Sequence, residues 1–186
     1  MVVDVSASKK IYITNPQILH KIKTQGKHIG QGKVIDYVYG SANFDEELLF
    51  VRKVVESLWP SMTRGKFYPF LKTQINWQDG FETSKVTLGS PLVECNRLEE
   101  AATILGSSST HLFWFNRTIS EYKVGDLTVY IEDIDHLPQT LEVISRNPKL
   151  SLEQNRELVS EFLKSLNTTY SIKHQVATLV RSEIGR

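Results

Sequence analysis

Charged side chains stand in or beside apolar strand patterns at several places in this sequence. Lys10, Lys72, Arg117 and Lys123 supply cations, and Glu94, Glu132 and Glu142 supply carboxylates. A solvated sheet face explains any one of them. Several on different strands of one sheet invite another reading. If that sheet closes, inward charges would line a tunnel. Cations there would neutralise phosphate oxygens, and carboxylates would hold magnesium or manganese.

Other motifs fall away on spacing. Gly30-Gln31-Gly32-Lys33 invites a phosphate-loop reading, but Lys27 stands where the first glycine of such a loop belongs. Val34 also replaces the magnesium-binding hydroxyl, so a plain loop is expected there. His20, His28, His111, His136 and His174 show no metal-binding spacing, and Cys95 has no thiolate partner. Gly89-Ser90 lacks the flanks of a nucleophile elbow. Phe113, Trp114 and Phe115 could stack on bases, but no basic interleaving accompanies them, so packing is the expected role and no specific nucleic-acid signal remains.

These residues must be positioned by elements. The chain has 186 residues, which suits one domain with a core that needs no staples. A formal net charge of +1 argues neither for nor against a polyanionic partner. With Cys95 as the single cysteine, a reducing, cytoplasmic compartment fits best. No apolar run approaches a bilayer span, and the opening residues lack a secretory signal pattern.

Weak alternation over residues 1–8, extended by Ile11 and Ile13, gives a first strand. Asn15-Pro16 reads as N-cap and first position of a helix that Gly26 ends. Residues 33–40 read as a second strand. Residues 45–59 are ambiguous: the spacing of Leu48, Leu49, Val51, Val54, Val55 and Leu58 prefers a helix, whereas Phe50 and the valines suit a strand. Residues 67–77 and 81–96 read as strands joined at Gln78-Asp79-Gly80, and residues 97–105 as a short helix. Three strands follow, over 111–117, 122–131 with a bend at Gly125-Asp126, and 139–145. Ser151 opens a helix with a capping-box pattern, and a last helix carries Ile172, Val176, Leu179, Val180 and Ile184. The fold class is α+β, an antiparallel domain or small barrel with flanking helices.

The run from Tyr122 to Glu142 carries a family resemblance. Residues Tyr130-Ile131-Glu132 resemble a strand ending in an acidic residue, and Leu137-Pro138 a Leu-Gly turn. Leu141-Glu142-Val143-Ile144 then resembles a strand with a Glu-x-Glu pair. Near the N-terminus, Ser6-Ala7-Ser8-Lys9-Lys10 resembles a Glu-x-Glu-x-Lys signature. The chain thus resembles the CYTH, or triphosphate tunnel, superfamily, which includes class IV adenylate cyclases, thiamine triphosphatases and inorganic triphosphatases. The resemblance implies one domain over residues 1–186, folded as a closed or nearly closed eight-stranded antiparallel barrel. It implies a triphosphate compound or nucleotide in the tunnel, with Mg2+ or Mn2+.

Carried over residue by residue, Lys10, Arg52, Lys72, Arg117 and Lys123 would bind phosphates. Glu94, Glu132 and Glu142 would hold metal, with Glu132 and Glu142 in catalysis. Asp36 and Tyr39 match the next strand, and Arg52 matches the second arginine of a basic strand, which favours the strand reading of residues 45–59. The departures thin the acidic set: Ser6 and Ser8 replace glutamates, Ile144 replaces the second of the pair, and Pro138 replaces the turn glycine. Phe50 replaces an arginine. Serine adds no negative charge, so metal binding would weaken more than anion binding. Asp4 or Asp36 could stand in for the missing carboxylates. Three readings follow: a divergent phosphohydrolase or cyclase, an inactive anion- or nucleotide-binding module, or an unrelated α+β interaction protein.

Overall fold

The computed structural model describes residues 6–40, 43–88, 93–106, 110–168 and 170–185. Residues 1–5 of the first expected strand, with Asp4, and residues 89–92 of the strand expected over 81–96, with Gly89-Ser90, lie outside the described residues.

Eight strands form one antiparallel sheet. They are β1 (Ala7–Tyr12), β2 (Lys27–Tyr39), β3 (Leu48–Glu56), β4 (Phe67–Gln78), β5 (Phe81–Leu88), β6 (Phe113–Val124), β7 (Leu127–Ile134) and β8 (Thr140–Ser145). Their spatial order is β1-β8-β7-β6-β2-β3-β4-β5. The sheet curls until its edges meet. Phe81 at the start of β5 is buried with Ala7 and Ile11 of β1, and Lys9 Nζ lies 4.3 Å from the centre of its ring. The barrel is therefore nearly closed. At this seam the chain returns, and Ile172 N donates to the carbonyl of Lys10 at 2.7 Å.

Helices cover the outer face where the strands expose apolar side chains. The helix α1 (Pro16–Gln25) starts where Asn15 Oδ1 accepts from Gln17 N at 3.0 Å, with Pro16 contributing no amide that needs a partner. Helix α2 (Leu98–Ile104) buries Ala101 and Ala102 against Tyr39 and Val51. Helix α3 (Leu152–Ser165) opens with the reciprocal Ser151–Gln154 capping box and packs Val159 and Leu163 against Ile11, Leu141 and Val143. Helix α4 (Val176–Ile184) differs in place. Its Val176, Ala177 and Val180 pack with Val38 and Phe115, which face the barrel interior, so α4 stops one mouth of the barrel.

Three expectations change. The first concerns residues 45–59, which form β3 and not the helix that periodicity preferred. Both faces of β3 are covered, Leu48 and Phe50 on the cavity and Leu49 and Val51 under α2, and a strand buried on both sides loses its two-residue signature. The second concerns Gly30-Gln31-Gly32-Lys33, expected as a loop but lying within β2 and paired to Glu121, Ser120, Ile119 and Thr118. Leu58 explains the glycines: a Cβ at Gly32 would sit 2.7 Å from Leu58 Cβ. The third concerns residues 111–131. In place of strands over 111–117 and 122–131, β6 runs unbroken from Phe113 to Val124 and turns tightly at Gly125-Asp126 into β7. Thr118, Ser120 and Glu121 are polar, yet the backbone from Thr118 to Glu121 is paired on both sides.

Candidate functional site

Strand alternation decides which charges enter the barrel. On β1, Ala7 and Ile11 point to the outer core, so Ser8 and Lys10 point inward. The same period places Asp36 of β2, Arg52 of β3, Lys72 of β4, Glu82 of β5, Arg117 of β6 and Glu142 of β8 on one cavity of about 270 Å³. Glu132 of β7 lies under Lys10 and Arg117, 2% exposed.

These side chains form two networks across strands, one around Asp36 and Glu132 and one around Glu82. Arg52 meets Asp36 in a fork, Nε donating to Oδ1 at 2.7 Å and Nη2 to Oδ2 at 2.8 Å. Arg117 joins two carboxylates: Nη1 donates to Asp36 Oδ2 at 3.3 Å and Nη2 to Glu132 Oε2 at 2.8 Å. Lys10 Nζ lies 3.2 Å from Glu132 Oε2 and 3.9 Å from Glu142 Oε2. Ser8 Oγ donates to Glu142 Oε1 at 2.9 Å. Lys72 pairs with Glu82, and its ammonium also donates to Gln175 Oε1 at 3.1 Å. Gln175 Nε2 donates to Glu82 Oε2 at 2.8 Å, so one amide bridges both partners. The charges of Lys10, Arg52, Lys72 and Arg117 are matched one for one by Asp36, Glu82, Glu132 and Glu142.

Burial and pairing act in opposite directions on these groups. Burial alone would push Glu132 up, but the Arg117 guanidinium and the Lys10 ammonium outweigh it and hold its carboxyl at about 2. Asp36 is likewise held below the ordinary carboxylate range, by Arg52 and Arg117 against its burial. Glu82 is lowered by Lys72 and by hydrogen bonds from Lys72 and Gln175, again against burial. Burial favours the neutral form of Arg117, yet Glu132 and Asp36 keep its guanidinium firmly charged.

Of the residues expected to act, the structure gathers Lys10, Arg52, Lys72, Arg117, Glu132 and Glu142 around one cavity. It leaves out Lys123 and Glu94. Lys123 has the inward parity of Arg117 but lies six positions further along β6, about 20 Å at strand rise, beyond the barrel rim. It is exposed and donates to Thr128 Oγ1 at 2.9 Å beside the hairpin turn. Glu94 lies outside the strands, next to Cys95, whose backbone bridges Phe67. Its Oε2 accepts from Tyr68 Oη and Thr63 Oγ1, both at 3.0 Å, and so braces a surface turn. Both departures are matters of placement, and neither residue reaches the cavity.

Sequence reasoning passed over Glu82 and Gln175. Glu82 carried a signal: it follows a buried Phe81 in a strand and so must face the opposite side. Gln175 carried none, since it precedes α4 and reaches the site only through the return of the chain to the seam.

The other half of the cavity is apolar. Phe50 and Phe70 stack at 4.9 Å and 11°, and Phe115, Trp77, Val176 and Ala177 complete the wall.

A divalent cation can be tested against these donors. Among the described residues, no three His, Cys, Asp or Glu side chains converge as a cage. Glu132 and Glu142 do face one point from two strands, and Ser8 adds a hydroxyl beside Glu142. Two carboxylates suffice for magnesium when phosphate oxygens and water complete its shell. The donor set therefore fits a cation that arrives with phosphate, not one held by protein alone.

No family model and no curated protein matches the chain. Solved structures do. The protein PH1012 from Pyrococcus horikoshii superposes with a TM-score of 0.69 at 16% identity, covering 91% of this chain and 96% of that one. A candidate adenylate cyclase from Vibrio parahaemolyticus gives 0.65 at 12% identity, over 95% and 97%. HpAC1 from Hippeastrum, a candidate adenylyl cyclase with a dominant triphosphatase activity, gives 0.56 at 13%, over 86% and 87%. At these identities the likeness is one of fold, and the fold is the eight-stranded antiparallel barrel that the CYTH resemblance implied. Among the described residues no helix is long and apolar enough to cross a membrane.

Proposed function

We propose that the barrel binds a small molecule carrying a triphosphate, a nucleotide among the candidates. The observation that carries this reading is the convergence of Lys10, Arg52, Lys72 and Arg117, from four different strands, on one cavity. A triphosphate is a short row of anionic groups, and cations spaced around a tunnel meet that row from several sides. The arginines, oriented by Asp36 and Glu132, would offer a phosphate the N–H groups these carboxylates do not take, and the lysines would act as point charges. Structures of the same fold include candidate cyclases and a protein with triphosphatase activity, which supports this ligand class. A cytoplasmic setting suits such a ligand and a chain whose single cysteine is buried and unpaired.

Magnesium or manganese would be held by Glu132 and Glu142 and would supply charge neutralisation at the phosphates. Turnover, as a triphosphate phosphohydrolase or a cyclase, is a second reading, favoured by the placing of Glu132 and Glu142 on the same side of the cavity as Lys10. In it these carboxylates are the catalytic candidates, orienting an attacking water or hydroxyl.

Calorimetry of the whole chain with tripolyphosphate and with ATP, in Mn2+ at low salt, tests the first reading. Saturable binding that falls about tenfold or more in Arg52→Ala is expected, since a lost charged hydrogen bond costs roughly 1.5–3 kcal/mol. No heat with either compound defeats the proposal. Phosphate or pyrophosphate release that disappears in Glu142→Ala establishes turnover, and binding without release establishes a binding module.

A further inference from the structure

We infer that the Lys10 ammonium occupies the place of a divalent cation in the ligand-free barrel, so that metal and phosphate can enter only together. The inference rests on the proposed triphosphate reading for its second half, and its first half stands on the chain alone.

The geometry is that of a cation site already filled. Lys10 Nζ stands between Glu132 Oε2 at 3.2 Å and Glu142 Oε2 at 3.9 Å. The Ser8 hydroxyl, where the resemblance puts a glutamate, donates to the far oxygen of Glu142 at 2.9 Å. Glu132 is 2% exposed, so its charge has to be met by protein or by an ion. Lys10 and Arg117 meet it.

Consider each ligand arriving alone. A free divalent cation approaches two carboxylates across an ammonium that does not leave, and like charges in a partly buried site repel strongly. Among the described residues, no third carboxylate converges with these two to replace what the ammonium gives up. A free triphosphate attracts Lys10, but drawing the ammonium away strips Glu142 and half-strips Glu132, and sets those carboxylates facing phosphate oxygens. Each ligand alone thus makes one favourable contact and one uncompensated charge.

Arriving together they exchange partners. The lysine side chain, on four rotatable bonds, turns to a phosphate oxygen, and the metal takes the carboxylates it leaves. Every charge then has an opposite neighbour. The protein's share of this exchange is the mobility of Lys10 against the fixed position of Glu132, which Arg117 continues to hold through Nη2 at 2.8 Å. Coupling of this kind is reciprocal: phosphate must tighten metal by the same factor that metal tightens phosphate.

Mn2+ binding, followed by electron paramagnetic resonance on the whole chain, tests the inference without any ligand. Lys10→Met keeps the length of the side chain and removes its charge, and Arg117 still pairs Glu132, so the variant retains a partner for its buried carboxylate. Wild type is expected to bind free Mn2+ weakly, and Lys10→Met to bind it at least about tenfold more tightly, within the usual range of site-to-site coupling. Adding Glu142→Gln to Lys10→Met is expected to abolish the gain. If circular dichroism shows Lys10→Met unfolded, Lys10→Gln carries the same expectation.

Wild type binding Mn2+ as tightly as Lys10→Met overturns the inference. In a second arm, wild type receives tripolyphosphate in EDTA or in Mn2+. Tightening by Mn2+ of about tenfold or more supports the exchange, and equal affinity in both overturns it. Failure of tripolyphosphate and ATP to bind under either condition defeats the triphosphate reading, while the Mn2+ comparison between wild type and Lys10→Met still decides what Lys10 does.

Discussion

Asp36 receives three hydrogen bonds from two guanidiniums and is 2% exposed. It holds Arg52 and Arg117 in the orientation they present to the cavity. Its removal leaves Arg52 without the carboxylate it forks and takes one of the two that Arg117 holds, and breaking one side of such a pair costs about 3–5 kcal/mol. Asp36→Ala is therefore expected to lose that much in urea unfolding, and Asp36→Asn rather less because the amide oxygen still accepts. Equal midpoints for Asp36→Ala and wild type would show that the web adds nothing to stability. Some of this site was legible at the residue scale. Lys10, Lys72 and Arg117 stood out as charges within apolar strands, and two-residue alternation sends each inward. Lys123 shares that pattern but stands away from the cavity, because parity fixes the face of a strand and not the point where the strand leaves the barrel. Glu82 was missed because its one signal, the apolar neighbour Phe81, is faint in a strand as polar as Phe81-Glu82-Thr83-Ser84.

At the scale of elements, the return of the chain after α3 matters most, and it was the least legible. Residues 171–178 are fixed by groups far away in sequence. Asp45 Oδ1 accepts from Gln175 N at 2.7 Å and from Thr178 Oγ1 at 2.8 Å, while Oδ2 meets His174 Nδ1 at 2.8 Å. Gln175, the residue before α4, makes no side-chain cap of its own. Asp45 therefore anchors the residue before α4 and the first turn of α4 from the β2–β3 connection, a long-range relation that no local spacing encodes. Helices α1 and α3, by contrast, carry their caps in adjacent residues and were read directly. Asp45→Ala should cost about 1–3 kcal/mol, the ordinary cost of leaving hydrogen-bond donors without their acceptor. Its effect should be local: amide exchange should quicken across α4 and the Gln175 region and leave β6 and β7 unchanged. Uniform quickening over the barrel would mean that α4 is part of the cooperative core and not a separately held stopper.

The same return chain presses on the hairpin between β4 and β5. Gly80 has φ +81, and a Cβ there would clash with Ser171 Oγ. Gly80→Ala combines the strain of positive φ with a displaced seam, so a loss of more than about 1 kcal/mol is expected in denaturant titration. Gly80→Ala in a Ser171→Ala background separates the two causes. If the loss is unchanged, backbone conformation accounts for it, and if it shrinks, the seam does.

Across the whole molecule, the ion pairs bind every strand to another: Lys10 of β1 to β7 and β8, Asp36 of β2 to β3 and β6, Arg117 of β6 to β7, and Lys72 of β4 to β5. The curled sheet thus has charged ties on its inside as well as apolar packing on its outside, and acid should attack the former first. Glu132 sits at about 2 in the folded chain against an ordinary 4.5, and Asp36 and Glu82 are lowered too. Between those values the unfolded chain binds protons that the folded chain does not, so stability must fall as pH drops from about 4.5 towards 2. Above about 4.5 these carboxylates are ionised in both states and their stabilisation is fully present. Glu132→Gln removes the most strongly placed of them. It should start less stable at neutral pH, because Lys10 and Arg117 lose a charge, and then lose less than wild type on acidification. Urea midpoints measured for both proteins from pH 7 to pH 2.5 give the comparison. Parallel curves would mean that acid acts through surface carboxylates, and the interior web would then have no part in holding the barrel closed.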